Sequence, residues 1–267
     1  MRNLKRALSL ALAAIMLVGM MVVSASAASY NNLTDKDEIV NKDAVSMLVS
    51  LGIIEGKPDG SYGPTENVDR AQMAKMLSVI MNKGVDNSAL YQSVNSGLTD
   101  ITSHWAKGHI NYCYTTGIIA GRGTGTFDPS ATVTALEAAK MLLVAVGYDP
   151  AIEGFEGADW AINVSVRADE QGIFEGFTKD LSAPLNRDDA ALLIYNALDV
   201  EMIQSYTTNN YPIAYSDHRT ILADKYGVIK VQGVVVANEW ASLASDDGDA
   251  ALKEGKTTIY NGEGIFS

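Results

Sequence analysis

The sequence predicts a mainly α-helical protein of three helix–turn–helix repeats, followed by a small β-rich segment. The first observation is a motif that recurs three times, as GIIEG at 52–56, GIIAG at 117–121 and GIFEG at 172–176. Each copy follows one amphipathic helical pattern and precedes a turn and a second such pattern. The second observation is a change to β-branched residues after about residue 205. One helix pair of this size cannot bury its apolar face alone, so we expect the three repeats to share a core.

The N-terminus has the three parts of a secretory signal peptide. A basic MRNLKR precedes a long apolar run, and Ala25 and Ala27 supply a small-residue cleavage site. An uncleaved membrane anchor is the alternative, but the polar sequence that follows favours cleavage. We therefore expect a secreted chain, with no stable membrane span after cleavage, at the cell wall or cell surface. The predicted boundaries are 1–27 for the signal peptide, 28–97, 98–153 and 154–204 for repeats 1 to 3, and 205–267 for the β-rich segment.

Composition excludes several classes of function. Loss of the signal segment removes three basic residues and no acid, which takes the formal net charge from −12 to −15. Such an acidic chain is not expected to bind nucleic acid or anionic membrane surfaces. Cys113 is the only cysteine and lies in an apolar helical pattern, which favours a buried, inert thiol. The three histidines lack zinc-ligand spacing, and no catalytic motif is present, so we predict no metal, no cofactor and no enzymatic activity.

The first helix of each repeat ends at a glycine, and matched residues keep register with it. Gly52, Gly117 and Gly172 fall where a left-handed residue ends a helix. The acid of an LTD motif, Asp35 in repeat 1 and Asp100 in repeat 2, lies 17 residues before this glycine. A tryptophan, Trp105 in repeat 2 and Trp160 in repeat 3, lies 12 residues before it. Three copies in one register indicate a true internal repeat.

The second helix of each repeat begins at a capped position and, in two repeats, carries a charge in an unfavourable place. The predicted N-caps and their partners three residues later are Asp69 with Gln72, Thr134 with Glu137 and Asn186 with Asp189. Arg70 and Arg187 directly follow the cap, where the helix dipole disfavours a cation by about 0.3–1 kcal/mol. Repeat 2 has Ala135 instead. The recurrence suggests that the two arginines have a function.

These motifs resemble the S-layer homology (SLH) repeat. The shared features in repeat 2 are T-D, H-W-A, G-I-I-A-G, G-T-F-D-P and a capped helix with A-K-M-L, and GKPDGSYGPTENVDRAQMAKML of repeat 1 matches equally well. The third copy is degenerate but in register. The resemblance implies a pseudo-threefold prism that binds secondary cell-wall polysaccharide, often with a pyruvylated sugar at its end, in grooves between repeats. It places the ligand-holding arginine at Arg70 and Arg187.

The same resemblance gives a set of candidate ligand-binding residues. For the arginines, an exposed cation or a pair with Asp188 is the alternative to gripping a carboxylate with two parallel hydrogen bonds. We expect the amides of the helix start to face the same anion. Because Ala135 replaces the arginine in repeat 2, two grooves should bind and the middle one should be weak. The remaining candidates are Asp35, Asp100, Trp105, Trp160 and Arg122.

Each of these remaining candidates also has a structural interpretation. Trp105 and Trp160 fit core packing better than stacking on a sugar, and Asp35 and Asp100 fit helix caps better than contacts with sugar hydroxyls. Arg122 fits a solvated turn residue better than a substitute for the missing arginine.

The C-terminal segment predicts β-structure. VIKVQGVVVANEW reads as strand, TTIYNGEG as a hairpin with an Asn261–Gly262 turn, and the acidic run at 246–249 as a solvated loop. The segment is either the start of a truncated domain or a small unit that completes the chain.

The predicted function is non-catalytic anchoring of a surface-layer or other exported protein to wall polysaccharide. One alternative is an SLH-anchored extracellular enzyme of the glycoside hydrolase type, with its catalytic domain absent from this chain. The other is a protein-interaction module. Self-assembly into a surface layer stays open.

Overall fold

A computed structural model describes residues 29–231, 233–238, 252, 255–260, 262 and 265–266. The predicted signal peptide and the acidic run at 246–249 lie outside these residues. Among the helices that are described, none has the length and apolar character needed to cross a membrane. The chain divides into two compact units, of which the first extends to Tyr226 and the second begins at Gly227.

The first unit is mainly helical, as predicted. Each repeat supplies two α-helices, with short 3₁₀ turns at Tyr30–Asn32, Lys36–Glu38 and Ser88–Tyr91. The helices are α1 (Lys42–Ser50) and α2 (Arg70–Met81) in repeat 1, α3 (Lys107–Thr115) and α4 (Ala135–Val146) in repeat 2, and α5 (Trp160–Glu170) and α6 (Arg187–Ala197) in repeat 3.

The predicted helix boundary signals of the repeats are confirmed. Asp69 and Thr134 form reciprocal capping boxes, and the Asn186 side chain accepts the amide of Asp189. The anchor glycines Gly52, Gly117 and Gly172 have φ of 70°, 79° and 69°, a conformation that side chains with a Cβ rarely adopt. The local sequence therefore fixes where each helix begins and turns.

The packing of the helices joins one repeat to the next. The second helix of each repeat packs on the first helix of the following one, so that α2 contacts α3 and α4 contacts α5. The series closes on itself because α6 of repeat 3 contacts α1 of repeat 1. No repeat therefore completes its core without its neighbours.

Three extended segments that precede the second helices are joined by backbone hydrogen bonds. The amide of Val68 donates to the carbonyl of Leu185 (2.8 Å), Leu185 donates to Val133 (2.8 Å), and Val133 donates back to Val68 (2.9 Å). All three residues occupy the same position of their repeats, and all are buried. The three bonds close a ring that fixes the starts of α2, α4 and α6 relative to one another.

The end of the first unit is a hairpin and a short helix that sequence analysis did not separate from the β-rich segment. Strands β1 (Ile203–Tyr206) and β2 (Pro212–Ala214) pair antiparallel, and α7 (Ile221–Tyr226) follows. The Tyr206 hydroxyl donates to Glu153 (3.0 Å) and accepts the amide of Asp149 (2.9 Å). The Tyr226 hydroxyl reaches the carbonyl of Ile80 at the end of α2. Residues 203–226 are therefore hydrogen-bonded to the repeats.

The described part of the second unit is an antiparallel sheet in the order β3 (Val234–Asn238), β4 (Thr257–Tyr260) and β5 (Ile265–Phe266). The predicted β-character of this segment is confirmed. Gly262, between β4 and β5, has a φ of 95°, which a tight turn requires. Asn261 lies outside the described residues.

The Tyr206 contacts predict that the hairpin stabilises the first unit. Tyr206→Phe removes both hydroxyl hydrogen bonds and leaves the largely buried Glu153 carboxylate with one partner fewer. We expect a loss of about 1–2 kcal/mol in the free energy of unfolding, measured by urea denaturation. Tyr211→Phe, on an exposed tyrosine of the same hairpin, is the matched control and should change it little. Equal effects of the two substitutions would contradict this docking.

Candidate functional site

The predicted site aspartates hold turns in the structure. Asp35 accepts the amides of Tyr62 and Gly63, both at 2.7 Å, and Asp100 accepts those of Phe127 and Asp128, the shortest at 2.7 Å. Neither residue caps its α-helix, because α1 begins only at Lys42 and α3 only at Lys107. Their carboxylates position the turn that follows the glycine anchor.

Arg70 reaches from repeat 1 over the turn of repeat 2. Its Nε donates to the carbonyl of Phe127 (2.8 Å), its Nη2 donates to the carbonyl of Ala120 (2.9 Å), and its guanidinium lies 4.3 Å from the centre of the Phe127 ring. Only 4 % of Arg70 is exposed, and its guanidinium forms no ion pair among the described residues. Nη1 has no acceptor among them either. Burying a cation without a direct ion pair is costly, which makes Arg70 a candidate for binding an anion.

Arg187 makes the equivalent contact between repeat 3 and repeat 1. Its Nε donates to the carbonyl of Tyr62 (2.8 Å), its Nη2 lies 3.4 Å from the carbonyl of Glu55, and its guanidinium stacks on the Tyr62 ring. In return, the Tyr62 hydroxyl donates to the Arg187 carbonyl (2.7 Å). Each arginine therefore acts on the next repeat in the ring and not on its own.

The expectation that free helix-start amides face the ligand is wrong. The amides of Arg70 and Ala71 donate to the carbonyls of Ala131 (2.9 Å) and Pro129 (3.0 Å), and the amide of Gln72 donates to the N-cap. The start of α6 is used in the same way by carbonyls of repeat 1. These backbone amides are used in hydrogen bonds between repeats. An anion would therefore have to be held by side chains.

The position of Ala135 changes which of the three grooves is expected to be weak. Ala135 begins α4, whose next amide, from Leu136, donates to Leu181 of repeat 3 (3.1 Å). The missing arginine therefore faces the turn of repeat 3. The expected weakness moves from the middle repeat to the third.

A groove of about 530 Å³ lies beside Arg70 and draws on all three repeats. We call it the Arg70 groove; among its lining residues are Arg70, Gly121, Arg122, Glu137, Lys140 and Trp160. Arg122 pairs with Glu137 at 3.1 Å, and the Lys140 ammonium lies 5.7 Å from the centre of the half-buried Trp160 ring. Three cations thus converge beside one aromatic face.

The electrostatics of the Arg70 groove reflect burial and crowding of like charges. Burial lowers the pKa of Arg70 to about 10, and nearby Arg122 adds to this, whereas Glu137 opposes it. Burial also lowers the pKa of Lys140, with the charge of Arg70 in the same direction and Glu156 against it. A bound anion would relieve the repulsion among these cations.

A smaller groove, of about 180 Å³, repeats this arrangement beside Arg187. We call it the Arg187 groove; among its lining residues are Arg187, Gly56, Lys57, Gln72 and Lys75. Lys57 pairs with Glu66, and Lys75 lies 3.6 Å from Glu55, so both lysines have acidic partners. The Arg187 groove is therefore smaller and more fully neutralised than the Arg70 groove.

The two tryptophans differ in their surroundings. The interpretation of Trp105 as a core residue is wrong, because 56 % of its surface is exposed. Its ring lies beside His104 and His109, at 5.6 and 6.4 Å between ring centres. Trp160 instead faces the Arg70 groove and is only partly exposed.

Around the turn of repeat 3, four positions that carry a charge or a tryptophan in the other two grooves are apolar. Ala135 replaces the arginine, Phe177 replaces Lys57 and Arg122, Leu192 replaces Lys75 and Lys140, and Val40 replaces the tryptophan. Leu192 lies against the Gly176 turn, as the register requires. Among the charged groups described at this turn, Lys179 and Asp189 pair with each other.

Comparison with known families identifies the first two repeats. The family model of the S-layer homology domain matches residues 32–74 and 97–139, which contain the capping boxes, the turns and Arg70 described above. The chain thus carries two S-layer homology repeats, at residues 32–74 and 97–139. Such domains bind cell-wall polymers, so the chain carries a cell-wall anchoring module, and its predicted location at the cell surface is confirmed.

Three relatives illustrate the range of proteins that share this SLH region. The chain is 27 % identical to "Cell surface protein" of Thermoanaerobacter kivui over 266 residues, which is 99 % of this chain and 32 % of that one. It is 33 % identical to "S-layer protein" of Bacillus licheniformis over 42 % of this chain and 12 % of the relative. It is 30 % identical to "Amylopullulanase" of Thermoanaerobacterium thermosulfurigenes over 59 % of this chain and 9 % of that enzyme. The chain spans about a third or less of the length of each.

Sequence reasoning missed the lysine of the Arg70 groove. Lys140 and its counterpart Lys75 both lie in the A-K-M-L motif of their repeats. The recurrence of a positive charge at this position is the signal in the sequence that points to them. Leu192 at the same register in repeat 3 was a further signal. In contrast, Cys113 was predicted correctly as a buried thiol, and burial raises its pKa.

The turn-holding role of Asp100 predicts a stability effect. Asp100→Asn retains the shape but replaces one acceptor oxygen by a donor that faces the amides of Phe127 and Asp128. We expect a loss of about 1–3 kcal/mol in the free energy of unfolding, measured by urea denaturation. Asp37→Asn, at an exposed acid of a 3₁₀ turn, is the control and should stay within about 0.5 kcal/mol. Wild-type stability of the Asp100 variant would refute the role.

Proposed function

We propose that this SLH protein is a non-catalytic anchor that binds a secondary cell-wall polysaccharide with a pyruvylated terminal sugar in the Arg70 groove. The observation that supports this most directly is the buried Arg70 guanidinium, which forms no ion pair among the described residues and lines an open groove beside two further cations. A pyruvate ketal supplies one carboxylate, which arginine holds well.

The remaining groups of the Arg70 groove suit a sugar ring. Trp160 offers a flat apolar face on which a sugar can stack, and its position beside Lys140 keeps charge close to that face. Glu137 and Glu156 line the same groove and can accept hydrogen bonds from sugar hydroxyls. We therefore assign Lys140, Arg122 and Trp160 to the ligand, and Arg70 to the ligand and the turn together.

Asp35 and Asp100 contribute indirectly in this proposal. Their carboxylates are taken up by turn amides, so they shape the grooves without reaching a sugar. Trp105 holds the position in repeat 2 that Trp160 holds in repeat 3, and we assign it the same role for the Arg187 groove, although it is not among the described lining residues of that groove.

We further propose that the third copy is a degenerate SLH repeat and that the three copies form a pseudo-threefold prism. The packing of each second helix on the first helix of the next repeat supports this. The closed set of backbone hydrogen bonds among Val68, Val133 and Leu185 supports it as well. Each groove of such a prism takes its arginine from the preceding repeat.

A surface-layer component is the favoured whole-protein role over an anchored hydrolase. Similarity to the cell surface protein of T. kivui spans 99 % of this chain and so includes the C-terminal segment, whereas similarity to the amylopullulanase covers 59 %. The C-terminal β-structure therefore belongs with surface proteins in this proposal.

Lys140→Ala tests the Arg70 groove. Loss of a charged hydrogen bond to the ligand should weaken binding to purified wall polysaccharide by about 10- to 100-fold, measured by titration calorimetry. Leu192→Ala changes the equivalent position of repeat 3 and is the matched control. It should bind the polysaccharide with wild-type affinity. Unchanged binding by Lys140→Ala would remove this groove from the ligand site.

The arginines give a second test with wall sacculi. The double variant Arg70→Ala and Arg187→Ala should lose most co-sedimentation with sacculi, because both cationic grooves then lack their central charge. Wild-type protein should lose the same co-sedimentation once the polysaccharide is extracted from the sacculi. Binding that persists after extraction would favour a protein-interaction module, and unchanged binding of the double variant would remove the arginines from the site. Circular dichroism of the variant must first show retained helix.

A further inference from the structure

A buried polar pair joins repeats 1 and 2 away from the carbonyls that the arginines use. His109 of α3 is 3 % exposed and Ser78 of α2 is 4 % exposed, and the Ser78 hydroxyl lies 2.6 Å from Nδ1 of the imidazole. The same hydroxyl lies 2.9 Å from the carbonyl of Lys75. The pair is thus enclosed in the contact between the two helices.

The other repeats show that the fold does not need this polar pair. At the equivalent positions, the α4–α5 contact has Leu143 and Val164, both with 0 % exposure. The α6–α1 contact has Tyr195 and Ala44. A histidine occurs only at the contact between α2 and α3, where an apolar pair would serve the packing alone.

Several charged groups surround the imidazole. Nε2 lies 3.6 Å from Asp86, whose side chain is 53 % exposed, and the positive charge of Lys75 of α2 also acts on the imidazole. His104 and Trp105, which come just before α3, lie about one helical turn before His109, and the Trp105 ring is 6.4 Å from the imidazole. Because Asp86 is hydrated, it compensates only part of the cost of a buried positive charge.

We propose that Ser78 and His109 make the junction between repeats 1 and 2 proton-sensitive, tight while His109 is neutral and loosened when it is protonated. With a neutral imidazole, the Ser78 hydroxyl can donate either to Nδ1 or to the Lys75 carbonyl. With a protonated imidazole, Nδ1 becomes a donor, the hydroxyl must turn to the carbonyl, and a charge remains in a closed contact.

The direction of the pH effect follows from burial. Burial lowers the pKa of His109 below its ordinary 6.5, with Asp86 opposing and Lys75 adding to the shift. The unfolded chain therefore binds more protons than the folded one as pH falls below 6.5, and stability is lost across that range. Above it, the neutral pair contributes its full packing.

The chain's own second junction provides the test. The double variant Ser78→Leu and His109→Val copies Leu143 and Val164, and thermal melting is followed by circular dichroism at about pH 7.5 and about pH 5.5. We expect the wild-type melting temperature to fall between these pH values by on the order of 2–4 °C more than that of the variant. Equal falls in both proteins would overturn the proposal.

A second measurement covers the case in which the variant does not fold. Proton NMR of the wild-type imidazoles should show His109 titrating with a pKa below the ordinary 6.5, with its signal assigned through His104→Gln and His218→Gln, which alter the two more exposed histidines. If His109 titrates with a pKa at or above 6.5, the proposal fails. Neither experiment involves the glycan, so the outcome is independent of the proposed anchoring function.

Discussion

The contact that the rest of the structure depends on is the bond ring among Val68, Val133 and Leu185. These amides and carbonyls lie in segments too short to form a sheet, so each is satisfied only by the same segment of another repeat. The ring fixes the start of every second helix. Since those helices pack on the first helix of the next repeat, the core and the grooves both follow from this closure.

The closure explains the arginine at the start of the second helix. Alone, a cation beside the positive end of a helix dipole is unfavourable. In the ring, however, the helix start of repeat 1 lies against carbonyls of repeat 2, and Arg70 donates to two of them across the face of Phe127. Carbonyl oxygens and an aromatic face offset the dipole. The same residue then aligns the turn that carries Arg122.

Local sequence signals predicted the elements but not the partners of those elements. Capping boxes at Asp69 and Thr134 and the glycine anchors each act within a few residues, and for that reason they could be located by pattern. Which helix packs on which depends on contacts between repeats, and periodicity contains no such information. The exposure of Trp105 and the hydrogen bond from Tyr206 to Glu153 also depend on contacts between distant segments, so local patterns could not predict them.

The candidate site was predicted unevenly for the same reason. Arg70, Arg122 and Trp160 were identified from the repeat motif, and the structure brings these three into one groove. Lys140 was not identified, because its role appears only when the second helix is seen to face the tryptophan of the following repeat. Asp35 and Asp100 belong to the repeat motif because their carboxylates accept the amides of the turns and so fix the shape of those turns.

An arginine that acts on the next repeat changes how the substitutions around the turn of repeat 3 are understood. If each repeat bound ligand with its own residues, the loss at Ala135 and the losses at Phe177 and Leu192 would be unrelated defects in two repeats. In the ring they meet at one turn, together with Val40 from repeat 1. Meanwhile the buried positions of repeat 3, such as Leu193 and Ile173, stay apolar. The four substitutions therefore share the register of one turn, while repeat 3 keeps the apolar core that closes the ring.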